Sequence, residues 1–395
     1  MKRAYDPLAT VQAAGPPGTI SFVYGLPDPA TFPAEELRLA LEEVLREKPS
    51  LALQYAPEQG YGPLIDFLAA RTRTTQGVSI GRPQIMLTGG VAQALDHVCT
   101  ILARTGDIVL VEAPTYHESL KVFRNHGLIP RQIPIDHDGI DVDRLSAALG
   151  RLKPGRRRIA FIYLIPSFQN PSGVTLSLDR RKAILDICEK NNLLLVEDDV
   201  YSDLIYEGKE HPSLAALDRN GLVLHLRSFS KLIAPGLRLG WMVAPPEYID
   251  LFIRSGLRAM GGGANPLIAN ALACFCEKGL LEPHVESLRA HYRAKRDVML
   301  RSLSETMPPG VSWAEPRGGF FIWLKLPPPL QADDLLRKSK AAKVTFFAGN
   351  AFFAGRPTGQ FIRLSFSFVP KERVDEGIGK IASLIGSSLS PRPSR

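Results

Sequence analysis

The chain has 395 residues, more than the about 250–300 over which a single core keeps growing, so a large domain accompanied by a smaller one is expected. Hydrophobic residues make up 45% and charged residues 22%, which excludes disordered and collagen-like classes in spite of the many Gly and Pro residues. The formal net charge of +8 is spread along helical-looking stretches and is densest at Arg156–Arg157–Arg158, a pattern that argues against a nucleic-acid surface and suits a cationic site for small anions.

The four cysteines, Cys99, Cys188, Cys274 and Cys276, lack the paired spacing of a zinc site and read as buried thiols in a reducing compartment. The opening MKRAYDPLAT has no apolar core of a signal peptide. No apolar run approaches the roughly 18–20 residues of a membrane span. The expectation is a cytoplasmic protein with no membrane, nucleic-acid or metal partner.

In chain order, GPPG closes a turn-rich lead-in, and ISFVYGLPDPATFP adds a short apolar run. FPAEELRLALEEVLREK is a helix, with Glu35 and Glu36 near its start and Arg46 and Lys48 near its end, where the helix dipole favours each sign. A short helix follows from Pro63 to about Arg71. Gln84–Thr88 is strand-like and runs into Gly89–Gly90, and Val91–Ala103 is a helix. DIVLVEAP is a buried strand, followed by a helix around Tyr116–His126. RIAFIYLIP, NLLLVEDD, LVLHLRSF and RLGWMVAP are further strands, with a helix over Leu178–Asn191 between the first two. Continuous apolar strands alternating with helices define an α/β fold with a mainly parallel sheet covered on both faces. After Pro283 a long charged helix leads to GGFFIWLKLP and QFIRLSFSF, two strands flanking a helix near Asp333–Lys343, which form a separate α+β lobe. Residues 1–49 are expected to contribute to this small domain and to the substrate entrance, residues 50–285 to form the large domain, and residues 286–395 the small one.

Five segments carry chemistry. In SFSKLIAPGLRLGW, Lys231 is flanked by Ser228 and Ser230, with Arg238 seven residues on. A lysine forms a Schiff base with an aldehyde, and hydroxyls with an arginine suit a phosphate monoester beside it; pyridoxal phosphate (PLP) carries both groups. In NLLLVEDDVYSDL, Glu197, Asp198 and Asp199 sit at a strand end, where ligands bind in parallel α/β folds. A carboxylate paired there with a pyridinium nitrogen keeps the ring protonated as an electron sink, and Tyr201 is placed to donate to the ring's phenolic oxygen. In IPSFQNPSG the amide of Asn170 is a donor to a ring oxygen, although the same text alone reads as a turn. In TGGVAQALDHVCTILA a glycine pair before a helix offers free N–H groups of Gly90 and Val91 to an anion. In EAPTYHESL, Tyr116 suits stacking on a flat ring and equally suits an ordinary buried position.

Together, and nearly end to end from FVYGLPDPATFP to QFIRLSFSF, these segments resemble the class I/II aminotransferases of PLP fold type I. The resemblance is closest to the branch with 2-aminoadipate, kynurenine and broad-specificity aromatic and branched-chain aminotransferases. It implies a large domain with a mainly parallel seven-stranded sheet between helices. It further implies that Lys231 binds the cofactor and shuttles a proton, that Asp198 pairs with the pyridine nitrogen, and that Tyr201 and Asn170 bond the ring oxygen. Tyr116 would stack on the ring. Ser228, Ser230, Arg238, the Gly90–Val91 turn and Gln93 would hold the phosphate. Tyr55, in ALQYAPEQGYGPL, would reach the phosphate of a neighbouring subunit, in a homodimer or a pair of homodimers. Arg363, in FIRLSFS, would clamp the substrate α-carboxylate, with Gly25 over it. Departures from the family text are Ile65, where relatives carry arginine, and the glycine-rich TGGVAQA and MGGGANP.

The activity so implied is ping-pong transfer of an amino group from an L-amino acid to a 2-oxo acid. The same cofactor also supports decarboxylation, elimination and racemisation, so fold alone does not choose among them. A sensor that keeps the pocket without catalysis is the remaining alternative, and its regulator form would need more than the about 20 residues that precede the first motif. No second substrate arginine is recognisable, which argues against a strict aspartate preference. Arg3, Arg38 and Arg124 are candidates for an acidic side chain, and Tyr24 and Phe22 suit an aromatic or aliphatic pocket. The expectation is a 2-aminoadipate, aromatic or aliphatic donor with 2-oxoglutarate as acceptor.

Overall fold

The computed structural model describes residues 18–151, 157–209 and 211–389. Its centre is a sheet of eight strands in the order Ile85–Thr88, Gly240–Val243, Val223–Ser228, Leu195–Asp198, Ile159–Leu164, Ile108–Ala113, Ile129–Asp136 and Gly139–Ile140. The six strands read from the sequence are all present; Ile129–Asp136, which was not read, brings the sheet to the implied seven, and the two-residue Gly139–Ile140 adds an eighth at one edge. The five strands from Val223–Ser228 to Ile129–Asp136 are mutually parallel. Gly240–Val243 runs antiparallel to both its neighbours. IVLVEA and IAFIYL are buried along nearly their whole length, because helices such as Val91–Leu102, His117–Asn125 and Leu178–Asn191 cover the sheet. Leu178–Asn191 begins with Ser177, whose hydroxyl accepts the N–H of Arg180, and ends at Asn192 in the left-handed region.

The C-terminal lobe is a four-stranded antiparallel sheet, Ser312–Trp313, Phe321–Lys325, Phe361–Ser365 and Phe347–Ala348. The 26-residue helix Leu281–Thr306 joins the two cores: Leu281 and Val285 pack beside the large sheet, whereas Leu288, Tyr292, Met299 and Leu303 pack in the small lobe. The N-terminal segment divides between them. Ile20–Ser21 pairs with Val344–Thr345 of the small lobe. The helix Ala34–Glu47, however, places Ala40 and Val44 against Leu64, Leu68, Leu272 and Phe275. That corrects the expectation that this helix joins the small domain: its narrow apolar stripe matches the helix Pro266–Glu277, which is apolar almost all round and needs cover. Ile65, in place of the family arginine, lies in the same apolar cluster.

The four cysteines are buried free thiols. Among the described residues no helix is long and apolar enough to cross a membrane, and no group of three or more His, Cys, Asp or Glu side chains is arranged to hold a metal ion.

Candidate active site

The strand directions decide where the candidate residues meet. Thr88 pairs with Gly240, Gly240 with Ser228, and Asp198 with Leu226. The strand ends carrying Gly89–Gly90, Asp198 and Ser228 therefore lie along one edge of the sheet, which is where ligands collect in open α/β folds.

At the phosphate-like end, Gly90 takes φ +95° and opens the helix Val91–Leu102. A side chain there would meet the Arg238 guanidinium, and a Cβ on Gly240 would lie 2.5 Å from the Arg227 carbonyl and 3.0 Å from Gly90 Cα. Only glycine permits this close approach of two backbones. Arg238 donates to the Gly89 carbonyl at 3.1 Å. Ser228 Oγ donates to Ser230 Oγ at 2.9 Å and accepts the Ser230 N–H at 3.0 Å. The result is a cradle of N–H groups, hydroxyls and one guanidinium, the donor set a phosphate monoester takes. Gln93 departs from its expected part. Its Oε1 accepts the Gly89 N–H at 2.5 Å and its Nε2 donates to the Gly262 carbonyl at 3.0 Å, so both ends of the amide brace the turn against the next loop.

Lys231 Nζ donates to the Gly25 carbonyl at 2.8 Å. Burial, with Arg363 and Arg238 nearby, brings its amine down to about 8. Gly25 is packed against Phe321, where a Cβ would fall 2.3 Å from the ring.

Asp198 is buried, and burial pushes its carboxyl up to about 7 against the pull of the Tyr163 hydroxyl. Its Oδ2 accepts that hydroxyl at 2.5 Å, while its Oδ1 has no partner. Of the acids beside it, Glu197 has both oxygens committed and Asp199 has one, its Oδ1 likewise being without a partner. Glu197 accepts the N–H groups of Leu214 and Ala215. Asp199 Oδ2 accepts from Ser202 at 2.8 Å and lies 3.0 Å from His225 Nε2. A buried carboxylate oxygen facing a polar edge without a donor is costly unless something brings one. The pyridine nitrogen of a PLP ring is such a donor, so the residues present fit that group.

Arg363 is buried between aromatic rings, its guanidinium 4.2 Å from the Phe321 centroid, 4.9 Å from Phe352 and 5.0 Å from Phe347. It donates to Asn170 Oδ1 at 2.8 Å and to the Val23 carbonyl, and its Nε is unpartnered. Burial brings it down to about 10. The Asn170 carbonyl oxygen thus faces the arginine, which leaves its amide NH2 as the end able to donate to a ring. Tyr116 precedes the helix His117–Asn125 as its N-cap, and burial pushes its phenol up to about 12. Tyr201 packs edge-on against Phe320 and Phe321, with its phenol held well above the usual range by burial.

Other expected residues stand apart. Tyr55 is 80% exposed on the outer surface. Phe22 is fully buried in the small-lobe core, against Gly377; Tyr24 is half-buried. Arg38 is exposed and paired with Glu35 and Glu42 on its own helix, and Arg124 is exposed in the last turn of His117–Asn125. Arg3 and Arg156 lie outside the described residues.

Sequence reasoning missed Tyr163, Ser119, Glu112 and Gln169. Ser119 Oγ lies 2.7 Å from Tyr163 Oη. Glu112 accepts the Ile165 N–H at 2.9 Å and the Gln169 amide at 3.3 Å, with burial pushing its carboxyl up to about 8. The available signal was a polar group inside an apolar strand: a buried tyrosine hydroxyl or glutamate needs a partner.

Fold and site together define a transferase of the PLP fold type I class. The chain belongs to the aminotransferase class I and II family, which it matches over residues 25–381. It is a PLP-dependent aminotransferase. It is 37% identical over 370 residues to aromatic-amino-acid aminotransferase 1 of Thermococcus litoralis, covering 94% of this chain and 88% of that one. It is 35% identical over 378 residues to the 2-aminoadipate transaminase of Thermus thermophilus, covering 95% and 92%. The crystal structure of Pyrococcus horikoshii kynurenine aminotransferase superposes with a TM-score of 0.91 at 36% identity, covering 98% of this chain and 96% of that one.

Proposed function

We propose that this aminotransferase takes its amino group from an L-amino acid of 2-aminoadipate, aromatic or aliphatic type and passes it to 2-oxoglutarate, with PLP held through Lys231. The observation that carries the site assignment is the unpartnered, buried Oδ1 of Asp198 on the same sheet edge as the Ser228–Ser230–Arg238 cradle. When bound, the cofactor supplies the carbonyl that receives the amino group and the ring that accepts electrons.

The chain's own residues do the rest. Asp198 Oδ1 holds a proton at the ring nitrogen. Ser228, Ser230, Arg238 and the N–H groups of Gly90 and Val91 fix the phosphate. Asn170 and Tyr201 donate to the ring oxygen, and Tyr116 covers one ring face. Arg363 binds the substrate α-carboxylate, with Gly25 above it. Lys231 Nζ takes the substrate Cα proton, a task its lowered basicity suits, because a base works best with a pKa near the working pH. Residues 50–285 form the cofactor-binding domain in this reading and residues 286–395 the small domain. The donors named for the relatives, aromatic amino acids and 2-aminoadipate, support the aromatic and 2-aminoadipate types.

The test is a titration of the PLP-loaded protein with L-glutamate and a panel of L-amino acids, read by visible absorption. Preferred donors are expected to remove the bound cofactor's visible band and release an equal amount of 2-oxo acid. A band indifferent to the whole panel would overturn the donor assignment.

The homodimer rests on a separate feature. Leu51, Leu53, Tyr55, Leu257 and Met260 are exposed at 51%, 67%, 80%, 47% and 86%, and Gly261 packs against the Tyr55 ring. Large apolar side chains gathered around one tyrosine suit a covered face, with Tyr55 reaching the neighbouring phosphate. The native protein is expected to sediment at twice the chain mass. Leu53→Asp is expected to shift it toward monomer and lower its PLP content together; a dimeric, fully loaded variant would remove Leu53 from the interface.

A further inference from the structure

Tyr163 belongs to the strand Ile159–Leu164, otherwise wholly apolar, and is fully buried. It pairs with Val196 across the sheet. Asp198 lies two residues beyond Val196, so its side chain is on the same face as Tyr163, within reach of a long side chain. The phenol donates to Asp198 Oδ2 at 2.5 Å. An edge-on contact with Phe123, with centroids 5.3 Å apart, fixes the ring. On its other side, Ser119 Oγ lies 2.7 Å from the phenol oxygen. Ser119 comes from the first turn of His117–Asn125, three residues after Tyr116, and is itself buried.

The direction of this chain follows from its end. An ionised carboxylate only accepts, so the Tyr163 hydroxyl must spend its proton on Asp198. The phenol oxygen is then free only to accept, so Ser119 must be the donor to it. Two hydroxyls aligned head to tail polarise one another, and the carboxylate receives a stronger bond than an isolated phenol gives.

We propose that Tyr163, backed by Ser119, is a positioning residue for the ring-nitrogen carboxylate: by occupying Oδ2 it turns Oδ1 toward the cofactor and holds Asp198 as the anion. This rests on the reading of Asp198 as the partner of the pyridine nitrogen. The other ionisable groups that act on Asp198 are Asp199 and His225, which oppose each other, with Tyr163 itself. Asp198 in turn raises Glu112, Tyr116 and Tyr201. None of these is bonded to Oδ2, so the phenol is the contact that fixes which oxygen faces the ring.

The experiment uses Tyr163→Phe and Ser119→Ala in two forms of the protein. In the cofactor-free form, infrared spectroscopy follows the carboxylic-acid carbonyl of Asp198 with pH, assigned by its loss in Asp198→Asn. Removing a donor to the anion favours the neutral acid. The midpoint in Tyr163→Phe is therefore expected to rise by about 1–2 pH units, and Ser119→Ala to move the same way by less. In the loaded form, Tyr163→Phe is expected to release PLP about ten- to a hundredfold more readily. A tyrosine that only fills the core would change thermal stability and neither readout. Should Tyr163→Phe not fold, the Ser119→Ala midpoint decides: an unchanged value overturns the proposal. If the wild type took up no PLP, the site assignment would fall, while the infrared midpoints would still report the Tyr163–Asp198 link separately.

Discussion

Replacing Lys231 with alanine is expected to reduce turnover by about ten-thousandfold, the range lost when a positioned acid–base group is removed, and to abolish the covalent hold on PLP. The amine is the one group in the site that both reaches the Gly25 carbonyl, at 2.8 Å, and lies among the candidate cofactor and carboxylate contacts. Steady-state rates and the visible spectrum of the loaded variant check this; wild-type rates would remove Lys231 from the mechanism. The same variant has a signature in the cofactor-free protein. Burial lowers the amine from 10.5 to about 8 in the folded chain. Between those values the unfolded chain binds more protons than the folded one, so this group makes stability rise with pH across that window. Below about pH 8 the amine is protonated in both states and the full cost of burying the charge is present. Thermal denaturation of wild type and Lys231→Ala from pH 7 to pH 10.5 is expected to diverge accordingly, the variant lacking that rise. Parallel profiles would show that the lysine is solvated in solution.

Much of this was legible because strands buried on both faces write themselves as apolar runs. IVLVEA, IAFIYL and VLHLRS stand where those runs predict, and Leu178–Asn191 carries its serine cap and left-handed exit in the text. Ile129–Asp136 was not read, since Pro130 and Pro134 argue against a strand. It stands next to the edge, where only the two-residue Gly139–Ile140 pairs beyond it, and tolerates them. The antiparallel turn of Gly240–Val243 has no signature in composition; it depends on the short connection through Arg238, which takes φ +49°. The N-terminal helix was misassigned because its stripe says that it needs an apolar partner and not which one. In the site, Lys231, Asp198, Arg238 and Arg363 were singled out for their distinctive chemistry, and the fold sets Lys231 near both arginines. Tyr163 was absorbed into the strand pattern, and Gln93 and Phe22 were credited with contacts that backbone geometry directs elsewhere.

The row Glu197–Asp198–Asp199 shows how three like residues separate once placed, and it gives the second large effect. Asp198→Asn is expected to lower turnover by about a hundred- to a thousandfold, as when a preorganised electrostatic contact is lost, with much less change in stability. The carboxamide has one accepting oxygen and one donating nitrogen. If the oxygen keeps the Tyr163 hydroxyl, the NH2 faces the ring and cannot hold a proton on the pyridine nitrogen. If the NH2 faces Tyr163 instead, it opposes a donor at the 2.5 Å contact. Either arrangement forfeits half of what the carboxylate does. Asp199→Asn is expected to act the other way. Asp199 is held well below the usual carboxylate range despite its burial, by Arg227 and by His225 at 3.0 Å. Its charge therefore serves a buried ion network, and neutralising it should cost about 3–5 kcal/mol of stability while the cofactor spectrum keeps its shape. Rates, spectra and melting curves of the two variants distinguish these roles. If Asp199→Asn alters the spectrum and Asp198→Asn leaves it intact, the ring-nitrogen partner is Asp199, whose own unpartnered Oδ1 would then be the oxygen that meets the ring.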